Sequence, residues 1–316
     1  MVLNPDRPVA IAVAIPCFNE APTVARVVAD FRAALPEAAI HVFDNRSTDG
    51  TGALAAGAGA VVHRVEAPGK GEAVRAMFRQ LEADVVLMVD GDGTYPAQRA
   101  RDLLAPVLEG RAQMAVGTRL EDHHAGSFRA GHKLGNRLVL GLINALFGMR
   151  LSDVFSGYRA FDRRFVKTMP VLSRGFEIET EITLHALEHR VPIVEVPVKY
   201  GTRPEGSVSK LSTFQDGQRV LATLLRLYKD YRPLAFFGGP GVLLLALGAG
   251  AGGLVLREFL ELGHVEGVAR AVFAVACGVV GIVALATGFI LDTVNRRARE
   301  LYVLIADHVI GPTPRR

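Results

Sequence analysis

The sequence predicts an α/β domain on a doubly wound sheet, followed by a pair of membrane-crossing helices. Three observations carry this. The first 120 residues alternate short apolar runs with helical patterns, clusters of polar residues close the apolar runs, and two long stretches toward the C-terminal end carry no charge.

Val9–Ile15 is a continuous apolar run ending at Pro16, the pattern of a strand buried on both faces. Ala21 to Leu35 has helical spacing, with Pro22 in the first turn and Pro36 past the last. Ala39–Phe43 gives a second strand. It runs into Asp44-Asn45-Arg46-Ser47-Thr48-Asp49-Gly50, which is dense in turn and cap formers. Ala60–Val65 and Val85–Val89 supply two more strands. Ligands of such a sheet bind beyond the carboxyl ends of its strands. Asn19-Glu20, Asp44-Asn45 and Asp90-Gly91-Asp92 all fall there.

Residues 233–256 and 271–291 are uncharged, and each is long enough to cross a hydrocarbon core of roughly 30 Å as a helix. The pair reads as a transmembrane hairpin. Arg226, Lys229 and Arg232 precede it and Arg296, Arg297 and Arg299 follow it, whereas the connecting loop carries Glu258, Glu261 and Glu266 beside Arg257 and Arg270. The excess of cations at the flanks places both chain ends in the cytoplasm. The Val9–Phe18 run is too short for a signal peptide and lacks a cleavage site. Gly248 and Gly252, and the small pair Ala274 and Gly278, suit packing within the hairpin and self-association alike. Residues 211–232 alternate apolar and basic side chains at helical spacing, which fits an amphipathic helix in an anionic interface or one packed on its own domain.

Composition excludes several classes. A net charge of +4 over 316 residues gives no footprint of a nucleic-acid binder. Two distant cysteines, Cys17 and Cys277, make neither a disulfide framework nor a cysteine zinc site. Gly57-Ala58-Gly59 leads into a strand and lacks the third glycine of a dinucleotide fingerprint, and Gly71 stands where a phosphate-binding loop needs Ser or Thr. His185 and His189 are spaced like metal ligands but read as part of a surface helix. Asp90-Gly91-Asp92 is different. Two carboxylates at i and i+2 with a glycine turn between them can converge on one hard cation, such as Mg²⁺ or Mn²⁺ bridged to a diphosphate. A plain strand-to-turn sequence would look the same.

Eight segments occur in order: PCFNE at 16–20, DNRSTDGT at 44–51, GKG at 69–71, DGDGTYP at 90–96, GTR at 117–119, DVFSGYRAF at 153–161, GFEIETE at 175–181 and RPEGSVSK at 203–210. Together they resemble the family 2 glycosyltransferases of the polyprenyl-phosphate type, relatives of dolichol-phosphate mannose synthase. The trailing hairpin is similar to that of the bacterial glucosyltransferase branch.

The resemblance implies a GT-A (Rossmann-like nucleotide-diphosphosugar transferase) domain over residues 1–210, an amphipathic juxtamembrane helix over 211–232, and the hairpin with a cytoplasmic tail over 233–316. It implies inverting transfer of one hexose, from UDP-glucose or GDP-mannose, to a polyprenyl phosphate at the cytoplasmic face of the cell membrane. Pro16, Phe18, Glu20, Asp44, Lys70 and Asp90 take the donor-nucleotide positions. Asp92, with Asp90, takes the Mg²⁺ or Mn²⁺ position. Thr94 stands where relatives often have a Gln ligand. Arg119 is similar to the arginine that faces the donor phosphates, and Asp153 occupies the acidic catalytic position. Arg129, His132, Lys133, Asn136, Arg203, Ser209 and Lys210 are offered to the acceptor phosphate, with His132 and Asn136 departing from the Arg and Ser of relatives. A lipid phosphate is already nucleophilic near neutral pH, which makes Asp153 an orienting group more than an obligatory base. Rival readings are a non-catalytic nucleotide-sugar-binding scaffold, a soluble sugar-1-phosphate nucleotidyltransferase and a processive polysaccharide synthase. The last usually carries a Gln-x-x-Arg-Trp motif, and this chain has no Trp.

Overall fold

A computed structural model describes residues 8–119, 130–175, 177–201 and 225–310. The chain divides into two compact units, Met1–Thr213 with Val303–Arg316, and Phe214–Tyr302.

In the first unit, strands and helices alternate as β1 (Ile11–Cys17), α1 (Val24–Ala34), β2 (Ala39–Asp44), α2 (Thr51–Gly57), β3 (Val61–Arg64), α3 (Lys70–Gln80) and β4 (Val85–Met88). They continue as α4 (Ala100–Leu108), β5 (Met114–Thr118), α5 (Ala130–Phe147), β6 (Arg159–Asp162), α6 (Arg163–Thr168), α7 (Ile178–Glu188) and β7 (Ile193–Pro197). The seven strands form one sheet in the order β3-β2-β1-β4-β6-β5-β7. All run parallel except β6, which is antiparallel to both β4 and β5. The strands expected before residue 90 are all present, and the reversed strand is the feature that the alternating pattern does not foretell. The four residues of β6 are buried throughout, so nothing local marks their direction; it is set by pairing Val86 with Phe161 and Ala115 with Ala160.

Two cores cover the sheet. On one face Val13 and Ile15 meet Val24, Val28 and Phe31 of α1 and Leu103 of α4; on the other Ala12 and Ala14 meet Val74, Met77 and Phe78 of α3 and Phe161, Phe165 and Ile182. Alternate residues of β1 thus face opposite cores, each large side chain contributing about 1.5–3 kcal/mol of burial. Helix α7 is buried along most of its length, His185 included. The surface helix expected around His185 and His189 is therefore overturned: Ile178, Ile182 and Ala186 seat α7 on the second core, and His185 meets Phe165 edge-on.

The second unit holds α8 (Pro233–Leu262) and, as far as Tyr302, α9 (Val268–Ile310), two helices long and apolar enough to cross a membrane. They pack through glycines. A Cβ at Gly248 would lie 2.9 Å from the Ala274 carbonyl oxygen, and one at Gly281 2.9 Å from that of Gly241. Residues 225–231 are helical, while 211–224 of the expected amphipathic helix lie outside the described residues.

Candidate active site

The carboxyl ends of β1, β2 and β4 are joined by side chains that cap one another's turns. Asn19, held at φ 53°, donates its backbone N–H to Ser47 Oγ at 2.9 Å, and its Oδ1 accepts from Thr48 N–H at 2.8 Å. Glu20 N–H donates to Thr51 Oγ1. Pro16 is buried within β1, and Phe18 beyond it is 44% exposed. Asp44 is buried; its Oδ1 accepts from Ser47 N–H at 3.0 Å, and its Oδ2 lies so close to Gly52 that no side chain fits there. Asn45, to which the sequence assigns no role of its own, ties this edge to the next: Oδ1 accepts from Gly69 N–H at 2.7 Å and Nδ2 donates to the Ala67 carbonyl at 2.6 Å.

Lys70 opens α3 and reaches two carboxylates, Asp90 Oδ1 at 2.6 Å and Glu179 Oε1. Burial alone would push the ammonium down, but the two carboxylates outweigh it and hold Lys70 above its ordinary range. Glu179 belongs to the GFEIETE segment, yet sequence reasoning gives it no function. Its partner stands 109 residues away, a contact no local pattern discloses.

The Asp90-Gly91-Asp92 turn follows β4. A Cβ at Gly91 would sit 2.6 Å from Cys17 Sγ, so only glycine lets β1 and this turn meet. Asp92 is buried, and its Oδ1 accepts from both Thr94 N–H (3.1 Å) and Thr94 Oγ1–H (2.6 Å). Thr94, at the position where relatives often have Gln, thus braces Asp92. Among the described residues no cluster of three or more acidic, His or Cys side chains gathers here. Two hard carboxylates, one braced and one shared with Lys70, fit a cation that takes its remaining oxygens from phosphate and water.

Arg119, just past β5, and Asp153 form a fork-to-fork pair, Nε to Oδ2 at 2.7 Å and Nη2 to Oδ1 at 3.0 Å. The guanidinium also lies 5.5 Å from the Tyr200 ring centre. Burial would raise the Asp153 carboxyl, but Arg119 holds it below the usual carboxylate range. From β7, Glu195 Oε1 accepts from the N–H groups of Ser152 and Asp153 and Oε2 from Ser152 Oγ–H, fixing the start of this loop. At its end, Gly157 abuts the Asp90 carboxylate, whose Cγ is 2.7 Å from where a Cβ would stand. The loop that carries Asp153 therefore touches the cluster that carries Lys70.

The structure thus brings together Lys70 with Asp90, Asp92 with Thr94, and Arg119 with Asp153. Of the residues offered to the acceptor phosphate, Arg129, Arg203, Ser209 and Lys210 lie outside the described residues. For His132, Lys133 and Asn136 only the backbone is described, in the opening turns of α5.

A mostly parallel sheet with one reversed strand and an Asp-x-Asp turn at the end of β4 defines a GT-A-like sugar transferase fold. The model of the glycosyl transferase family 2 matches residues 12–169. Glycosyltransferase AglJ of Haloferax volcanii is 36% identical over 93% of this chain and 96% of its own length. A polyprenol monophosphomannose synthase of Mycolicibacterium smegmatis is 31% identical over 63% of this chain and 80% of its own. Among solved structures, glucosyl-3-phosphoglycerate synthase from Mycobacterium tuberculosis, in complex with Mn²⁺ and UDP-glucose, aligns with a TM-score of 0.56 at 22% identity, covering 70% of this chain and 78% of that one. The chain belongs to glycosyl transferase family 2.

Proposed function

We propose that the protein transfers a single hexose, with inversion, from a nucleotide-diphosphate sugar to a polyprenyl phosphate at the cytoplasmic face of a membrane. UDP-glucose and GDP-mannose are the leading donors, and residues 1–210 form the catalytic domain. The observation that carries this is the contact of Gly157 with Asp90, which sets the Arg119–Asp153 pair beside the Lys70–Asp90–Glu179 cluster in a chain with two membrane-length helices. The named relative that makes polyprenol monophosphomannose supports the acceptor class.

Phe18 offers a ring face to the nucleobase, and Asp44 and Glu20 line the sheet edge for the nucleoside. Mg²⁺ or Mn²⁺, held by Asp92 with Asp90, would supply positive charge to the departing diphosphate. Lys70 and Arg119 add fixed cations, the preorganised kind of stabilisation that needs no rearrangement during reaction. The acceptor phosphate, with a second pKa of about 6, attacks as a dianion and needs no strong base. Asp153, kept ionised by Arg119, orients that arginine. Arg203 and Lys210 offset the repulsion between the two phosphates.

The test is transfer from a panel of radiolabelled nucleotide sugars to undecaprenyl phosphate with Mg²⁺, Mn²⁺ or EDTA, beside Asp92→Ala. Metal-dependent, organic-soluble label that the variant loses is the expected result. Donor binding without any lipid product would move the assignment to another acceptor.

A further inference from the structure

Arg159, the first residue of β6, is fully buried. A guanidinium withdrawn from water costs several kcal/mol unless its donors are satisfied, and an apolar side chain of similar volume would fill the space more cheaply. Among the described residues no carboxylate pairs with it. Its fork is used instead on two carbonyls of one loop and a hydroxyl. Nη2 donates to the Val154 carbonyl at 2.9 Å, Nε to the Ser156 carbonyl at 2.8 Å, and Nη1 to Thr183 Oγ1 at 2.9 Å. Thr183 Oγ1 in turn donates to the Glu179 carbonyl at 2.9 Å.

One side chain therefore holds the loop of Asp153 and, through Thr183, the first turn of α7, where Glu179 meets Lys70. We propose that Arg159 is a positioning residue that fixes the Arg119–Asp153 pair relative to the Asp90–Lys70–Glu179 cluster, and so sets the distance between acceptor and donor phosphates. This rests on the transfer reading above. Lysine cannot replace the fork, because an ammonium presents its donors from one point, whereas three partners here lie around a plane. The charge also suits the place: burial lowers the guanidinium to about 10, and the carboxylates of Glu179 and Asp153 favour its charged form.

The test uses the full chain in lipid nanodiscs. Arg159→Lys keeps the charge and loses the fork; Thr183→Val keeps the loop bonds and severs only α7. Arg159→Lys is expected to lower kcat about 10- to 100-fold, as small misplacements of reacting groups do, with donor KM changed less than about threefold. Asp153→Asn with Arg159→Lys should be no slower than Asp153→Asn alone, because both act on one element. Thr183→Val should lower kcat about threefold or more at temperatures where the variant is fully folded, its melting temperature falling by a few degrees because the buried Nη1 donor loses its acceptor. Hydrogen exchange should rise together at residues 153–158 and 178–183 in Arg159→Lys and stay unchanged in β1 and β2. Wild-type turnover in Arg159→Lys, multiplied losses in the Asp153→Asn background, or faster exchange across the whole sheet would each overturn the proposal. If Arg159→Lys does not fold, Thr183→Val decides: a lowered kcat supports the link and a wild-type kcat overturns it. If the wild type transfers no sugar, the transfer reading fails, while paired exchange in the two segments still decides the role of Arg159.

Discussion

A carboxylate joined to a guanidinium by two parallel bonds is a poor proton acceptor, and Asp153 is joined to Arg119 in that way. Its carboxyl lies below the unperturbed 3.8. A depressed carboxylate contributes stability that is complete above its unfolded value and is lost as pH falls through the folded one. The ion pair is accordingly intact throughout the neutral range and breaks only below 3.8. The pH–rate profile of kcat should show no acidic limb from Asp153 between about pH 5 and 8. Arg119→Met leaves burial opposed only by the backbone N–H groups of Phe155 and residue 119, which should move the acidic limb up toward that window and lower kcat at neutral pH by about 10²- to 10³-fold. A profile measured on both proteins checks this; an acidic limb already present in the wild type would make Asp153 a working base.

At the next scale, the opening of α3 depends on two backbone contacts. A Cβ at Gly71 would collide with the Ser173 carbonyl and one at Gly69 with the Arg174 carbonyl, and Gly69 has φ +122°, where side chains are strained. Gly71→Ala should lift the first turn of α3 off residues 173–174 and draw Lys70 away from Asp90 and Glu179. A loss of about 2 kcal/mol or more in stability is expected, with donor affinity down about tenfold; calorimetry and nucleotide titration measure both. Helix α7 adds a pH-dependent term. Burial holds the His185 imidazole down to about 3, whereas the unfolded chain takes up its proton near 6.5. Stability therefore falls as pH drops from 6.5 toward 3, and His185→Phe, which keeps an aromatic ring against Phe165, should flatten that fall in melting curves taken at a series of pH values. The elements legible in the sequence are the locally encoded ones. β1, β2 and β4 are apolar runs, and the polar residues at their ends mark the site without reference to anything distant. The reversed β6, the burial of His185, and the roles of Asn45, Glu179, Glu195 and Arg159 depend on contacts between segments far apart in sequence. Asn45 stands in the turn after β2 that marks the site, but its partners at 67 and 69 appear only once β2 and α3 are placed side by side.

For the molecule as a whole, the proposed polyprenyl phosphate acceptor would make the hairpin part of the kinetics. Anchoring raises the effective concentration of the acceptor, a benefit that a soluble acceptor does not share. The two long helices meet through Gly241, Gly248 and Gly281, where a methyl added to any of the three would find backbone atoms of the opposite helix at 2.9–3.1 Å. Gly252 faces the same way, its added methyl 3.9 Å from Ala274 Cβ, so the GxxxG spacing read from sequence serves packing inside the hairpin. Leucine at Gly248 and Gly281 together should force the helices apart, because the clash is with backbone and no side chain can swing aside. In the full chain this double variant should bind donor nucleotide within about twofold of wild type, since the Lys70–Asp90–Glu179 cluster and the Asp-x-Asp turn are built in the other unit. Transfer to a long-chain polyprenyl phosphate in bilayers should fall about tenfold, while transfer to a short, water-soluble isoprenyl phosphate should be unchanged. Equal losses with both acceptors would show that the hairpin supports the fold of the catalytic unit instead of delivering its acceptor.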